Sequence, residues 1–543
     1  MKKRESLLSR NISLLQPIFS FTKLSIVGLL FLSSNLFAQI SQPARYELKH
    51  KSSDHEFIII SMGRNGLALV RDTEKFDGSK RKWEVIFLDT LLQEVRNTKI
   101  LVNQRMSILG HEYNGGNVYL IFQEPQNPGQ PVDIFEFNPS DSLFREHSFK
   151  PEVNVRFTHF TALKSKAIFG GYINREPALL LYDLSEEKAK IVPGVFQPNV
   201  DLADVRVNTN GTFNALLVEG RMSKNKKLVV RTYDADGVVL VDDVIPIEEG
   251  KTVLEAVTSS LVRDEMIIIG TWTYGAGKQA AGIFSVVVDP FHDQQINFYD
   301  FSMLSHFFDY MKPKRVAKIK AKAEWRKSAG KTPEFRTYLA SVKLAETKEG
   351  FGFLCEVYDA SYARTNAYPY GFSPYTYNPY GYNPYGGFNS MPNRYYTPYY
   401  TNPYTTSSWQ PAEFEMINAS VCFFDTHGKL VSDHSLKFKD VKLNSKEQVS
   451  DFIVYNDQTI MMYKGKKEVS VKVTESDGTT VKEETITPEL KNPNETIRSE
   501  TQNDSSIRAW YDRYFFVYGY EALRDNVKRE SHDVFYINKI KMD

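Results

Sequence analysis

A hairpin that returns along the whole chain constrains the fold more than any other feature. Its clearest copy runs from Leu228 to Asp242, two β-branched, apolar runs around Asp234-Ala-Asp-Gly237. An Asp-Gly step supplies the positive backbone dihedral that a hairpin turn of matching twist needs. Related strand ends and turns stand at Asp89, Asn138, Asp183, Asp289, Asp425 to Gly428 and Asp477-Gly478, with a degenerate copy at Asn538. Successive copies are about 45 to 60 residues apart, except for one gap of about 135 before Asp425. That gap implies about 85 inserted residues.

Each period holds room for four short strands. Continuous apolar runs such as Glu56–Ser61, Asn117–Phe122, Phe213–Val218 and Met266–Trp272 alternate with half-polar ones. Strands covered on both faces should show the first pattern and outer, half-exposed strands the second. With 36 Phe and 31 Tyr among 543 residues, the chain has ample material for such a core, and disorder of the whole chain is excluded. A continuous repeat also makes one closed array more economical than several independent folds.

The final unit ends at Asp543 with no room for an outer strand, and the orphan strand Arg45–His50 can supply it. Pairing there would remove the open edges that a linear array exposes. In period and strand pattern the chain resembles the β-propeller superfamily, without a Trp-Asp or Kelch glycine signature. The resemblance implies an all-β ring of seven or eight blades over residues 39–543, closed by the N-terminal strand. It implies no catalytic residues.

The first 38 residues have the order of a secretory signal peptide: Lys2, Lys3, Arg4 and Arg10, an apolar run from Leu24 to Leu32, then a cut after Ala38. Export to the periplasm, the cell surface or the medium is expected, with no transmembrane segment in the mature chain. The cut removes five of 67 basic and one of 66 acidic residues, leaving about three net negative charges. Export and this balance both argue against nucleic acid as partner.

Two insertions fill the long gap. Residues 304–334 read as a basic helical insertion: His306–Met311 as a first helical turn, Pro313 as punctuation, then Lys314–Lys327, with Val316, Ile319 and Ala323 on one side. Residues 361–411 are a Tyr/Pro/Asn/Gly-rich low-complexity loop, built on a five-residue repeat at Tyr377–Gly386. Strict up-and-down connectivity sends the link between blades and the loop between a blade's second and third strands out of the same face. Both insertions fit those positions in adjacent units, so they should share a face.

That face is the expected binding surface. Tyr377, Tyr380, Tyr382, Tyr385, Tyr395, Tyr396, Tyr399, Tyr400 and Tyr404 can stack on sugar rings or donate hydrogen bonds. Lys314, Arg315, Lys318, Lys322 and Arg326 can pair with phosphate or carboxylate. An envelope glycan or protein is the partner this chemistry suits. The bland reading is a loose loop and a helix that braces the flank.

Other chemistry is thinly represented. Cys355 and Cys422, the two cysteines, fall in one unit and read either as a disulfide or as two buried thiols. Asp234, Asp236 and Gly237 resemble part of a calcium loop, but Thr232 stands where the first carboxylate belongs, so an ordinary turn is expected. His111, His159, His292 and His427 are scattered over different units, and no metal site, cofactor or catalytic motif emerges. A carbohydrate-active enzyme with carboxylates at the inner rim is the alternative to a non-enzymatic binding protein. A structural subunit of an envelope assembly is the third reading.

Overall fold

The computed structural model describes residues 40–542 apart from 52–54, 125–126, 128, 142, 221–224, 262–265, 276, 278, 290, 292–293, 365–408, 445–446 and 502–504. Its strands form eight antiparallel sheets. Blade 1 is Ile58–Ser61, Leu67–Asp77, Lys80–Leu88 and Glu94–Asn103, paired in chain order. Blades 2 to 7 repeat this meander over Ser107–Phe149, Arg156–Val192, Val200–Pro246, Lys251–Asp300, Tyr338–Leu443 and Ser450–Ile486. Blade 8 is Ser506–Ala509, Tyr514–Asp525 and Ser531–Met542, with Ile40–His50 paired antiparallel to the last strand and a fifth strand, Glu495–Glu500, paired with the far end of Tyr514–Asp525. The chain is an eight-bladed β-propeller.

The sequence makes this ring by alternation. Successive residues of a strand point to opposite faces, so a strand apolar throughout must be covered on both sides. In blade 6, Phe353 and Cys355 turn toward blade 5 while Leu354 turns toward blade 7. Each junction between neighbouring blades then holds one apolar cluster, eight in all, such as Ile58, Ile60 and Val85 against Ile108, Val118 and Leu120 between blades 1 and 2.

The recurring turns close as hairpins. At Asp234–Val238 the Gly237 N–H donates to the Asp234 carbonyl (3.0 Å) and Gly237 sits at φ +74. Asp234 Oδ1 accepts the N–H of Asp236 (2.9 Å) and of Val238 (2.8 Å). This carboxylate is therefore occupied by its own turn, which is the reading expected over calcium.

Two details differ from the expectation. His306–Met311 forms turns rather than a helix, because Phe301, Leu304, Phe307 and Phe308 are all drawn into the apolar wedge between blades 5 and 6. Burial of consecutive aromatic residues on several sides outweighs helix propensity there. The ends of the 361–411 stretch also continue the blade-6 strands, to Arg364 and from Trp409.

Candidate binding face

Helix α1, Pro313–Ser328, links blade 5 to blade 6. Proline occupies its first turn, where a missing N–H does no harm. At the other end Gly330 adopts φ +66, its N–H donating to the Lys327 carbonyl (3.0 Å) and that of Lys331 to the Arg326 carbonyl (2.8 Å), a Schellman closure. Val316, Ile319 and Ala323 face the apolar wedge. Two lysines turn inward as clamps. Lys320 Nζ donates to the carbonyls of Leu304 (2.9 Å) and Ser305 (3.2 Å), and Lys327 Nζ pairs with Asp300 (2.9 Å) and reaches Ser302 Oγ (3.1 Å).

The outward side is what remains. Lys314, Arg315, Lys318 and Lys322 are all exposed, and so is Trp325, 61% accessible. Arg326 differs from the other basic residues proposed from the sequence. Its guanidinium is committed to the Thr332 carbonyl (2.7 Å) and to Glu334 (2.9 Å), where it holds the segment after the helix. The sequence reading passed over Trp325; its position three residues after Lys322 on a lysine-rich face was the available signal.

Blade 6 carries the second addition. Its middle strands, Gly350–Arg364 and Trp409–Asp425, have 15 and 17 residues, against 7 and 6 for the equivalent strands of blade 7. The innermost strand accompanies the first of them only as far as Tyr358. From Asp359 to Arg364 that strand pairs only with Trp409–Glu415, reaching about 20 Å beyond the innermost strand, and from Ser361 on, past the end of the outermost strand at Leu443, the two form a two-stranded ribbon. Residues 365–408, and with them all nine tyrosines proposed from the sequence, lie outside the described residues.

The ribbon base and the first turn of α1 both bear on Tyr310. Tyr310, its hydroxyl pushed up to about 12 by burial, has Arg315 and Asp359 as its charged surroundings. Lys442 pairs with Glu413 (2.8 Å) across the ribbon base. Arg315, in the first turn of α1, thus shares the surroundings of Tyr310 with Asp359 at the ribbon base, and Lys318, Lys322 and Trp325 follow along the helix.

On the inner two strands of the blades, buried carboxylates bind blade to blade. Glu112 accepts the Ala162 N–H (2.9 Å) and the Thr161 hydroxyl (3.0 Å). Asp204 accepts the Thr258 N–H (2.8 Å), and Glu255 that of Ser341 (3.0 Å). Glu356 accepts the N–H groups of Val449 (3.1 Å) and Ser450 (2.7 Å). Asp451 accepts the Ala509 N–H (2.9 Å) and pairs with Lys343 of blade 6 (2.7 Å). Tyrosine hydroxyls do the same at two more junctions, Tyr172 for Leu202 (3.0 Å) and Tyr520 for Phe57 (2.7 Å). Burial dominates the titration of two of these acids, raising Glu112 to about 8 and Glu356 to about 7 despite the bonds they accept. Four carboxylates of innermost strands, Glu112, Asp204, Glu255 and Asp451, are thus engaged with backbone of the next blade.

Cys355 and Cys422 are free and buried. Cys355 stands opposite Ser420 and Cys422 opposite Phe353, so the two are diagonal neighbours on adjacent strands. Burial pushes both thiols up, which keeps them protonated. Among the described residues no three His, Cys, Asp or Glu side chains gather as a metal would require, and no helix is long and apolar enough to cross a membrane.

No family model and no curated protein matches this sequence. Solved structures are similar at the level of strand arrangement. The β-propeller domain of the Trilobed protease from Pyrococcus furiosus aligns at 8% identity and TM-score 0.34, over 80% of this chain and 93% of that one. The polysaccharide lyase Uly1 aligns at 8% and 0.36, over 92% and 100%. Prolyl oligopeptidase B from Galerina marginata aligns at 9% and 0.35, over 86% and 56%. Likeness at this level carries no function across.

Proposed function

We propose that this protein is an exported, non-enzymatic binding protein of the cell envelope, engaging a glycan or protein partner through the side that bears α1 and the blade-6 insertion. One observation supports this reading above the others. Two additions to the ring, a clamped basic helix and a ribbon extending beyond its blade, arise in adjoining blades, and Arg315 of the one and Asp359 at the base of the other both act on the buried Tyr310 hydroxyl. A rigid ring gives such additions a fixed base, and binding residues are commonly carried on loops held by a rigid scaffold. The apolar N-terminal stretch ending at Ala38 supports export.

Deleting Asn366 to Thr406 tests the reading. The variant should keep the melting temperature of the mature protein and lose capture of its partner from envelope extracts. Capture undiminished across glycan and envelope-protein panels would remove the insertion from the binding surface. Recovery of the uncut chain in the cytoplasm, with Met1 retained, would overturn the exported role.

A further inference from the structure

We infer that the outward face of α1 is a docking strip for an acidic polysaccharide, with Lys314, Lys318 and Lys322 holding its anionic groups and Trp325 receiving a sugar ring. This rests on the binding reading above and names the ligand class for its helical half.

The geometry comes from helical spacing. At 100° per residue, Lys314, Trp325, Lys318, Lys322 and Arg315 fall within about 100° of arc, separate from the stripe of Val316, Ile319 and Ala323. Residues four apart are about 6 Å apart along the axis, so Lys314, Lys318 and Lys322 form a row about 12 Å long. No acidic side chain of α1 lies within that arc; Glu324, the helix's one acid, is on another side. Trp325 follows at the end of the row, with Lys331 Nζ 5.9 Å from its ring.

The fold has no need of this arrangement. Cations in the first turn oppose the helix dipole, and the helix has no acidic residue there to offset Lys314 and Arg315. Lys314 with Lys318 and Lys318 with Lys322 are like-charge pairs four apart, which weaken a helix. The clamping work falls instead to Lys320 and Lys327, on the other side. Charges placed against local stability, on a helix otherwise firmly held, point to an external anion.

The exposed indole selects among polyanions. A lipid surface would need an apolar face to enter, and the apolar face of α1 is turned into the protein. Trp325 alone is too little for insertion, but a flat exposed ring beside cations suits the apolar face of a sugar whose carboxylates or sulfates lie along the lysine row. Asp359, which shares the surroundings of Tyr310 with Arg315, disfavours an anion at the N-terminal end of α1, so the ligand is centred on Lys318, Lys322 and Trp325.

The test uses the mature chain with polygalacturonate, dextran sulfate, neutral dextran and inorganic polyphosphate as probes. The two acidic polysaccharides should bind and neutral dextran should not, with affinity falling as salt rises at a log–log slope of about −2 to −3. Lys318→Glu with Lys322→Glu should lose at least about tenfold in affinity and flatten that slope, with an unchanged or slightly raised melting temperature. Trp325→Ala should weaken the acidic polysaccharides and leave polyphosphate unaffected. Binding by the charge-reversed variant equal to that of the native chain overturns the proposal, and so does equal loss of polyphosphate and polysaccharide on Trp325→Ala. The variant lacking residues 366–406 separates this from the broader reading: retained polysaccharide binding there leaves the helical strip standing even if the insertion proves inert.

Discussion

Glu112 shows how a single buried acid ties stability to pH. Its carboxyl bridges blades 2 and 3, and burial raises it to about 8 against the neighbouring Arg206 and two hydrogen bonds that favour the charged form. The folded protein therefore holds a proton between about pH 4.5 and 8 that the unfolded chain releases. Stability from this group is complete below the unfolded value and is lost as pH rises through the folded one. Glu356, raised to about 7, adds the same sign over a narrower window. Glu112→Gln copies the protonated form, with an amide oxygen for the Ala162 N–H and an amide donor for the Thr161 hydroxyl. The variant should match the native protein near pH 5 and exceed it at pH 8.5 by on the order of 2 kcal/mol, read as a flatter melting-temperature profile. Parallel profiles for the two proteins would show that Glu112 is ionised throughout.

At the scale of elements, the Asp-Gly turns do more than reverse the chain. Gly428 sits at φ +75, and a Cβ there would lie 3.2 Å from Val287 of blade 5. Its carbonyl also accepts the Tyr299 hydroxyl (3.4 Å). Gly78, at φ +60, has nothing within 4 Å of the same position. Gly78→Ala should cost only the left-handed backbone penalty, about 1 kcal/mol, whereas Gly428→Ala should cost about 1 kcal/mol more because the blade junction must shift. Equal losses in chemical denaturation would mean that the neighbour yields freely. These turns were legible because Asp-Gly chemistry is local, as was the strand alternation that marks doubly covered blades. The inner-strand bulges, such as those between Leu202 and Asp204 and between Val253 and Glu255, were not, since nothing in those residues differs from a regular strand. Nor was the blade-to-blade use of Glu112, Asp204 and Asp451, whose backbone N–H partners in the next blade lie 50 or more residues away. Half of the proposed site was readable as the lysine row of α1. Trp325 was hidden because its exposure depends on which side of the helix meets blades 5 and 6.

For the whole molecule, the seam in blade 8 is the place where ring and chain ends coincide. Ile40–His50 pairs with Asp533–Met542, and Arg45 fixes the register by bonding Asn538 (3.0 Å) and Glu521 (2.7 Å), with its guanidinium 4.5 Å from the Tyr536 ring centre. Only 4% of the Arg45 side chain and 2% of that of Glu521 are accessible. Removing the cation leaves a buried carboxylate without its ion pair, which typically costs about 3–5 kcal/mol. In a ring every blade is covered by two neighbours, but blade 8 alone is completed by segments from both chain ends, so opening can begin there without breaking a connected hairpin. Arg45→Ala should therefore speed hydrogen exchange first at the amides of residues 533–541, while those of Phe213–Val218 in blade 4 keep their protection until global unfolding. A uniform loss of protection around the ring would mean instead that the eight junctions open as one unit and that the seam is no weaker than the rest.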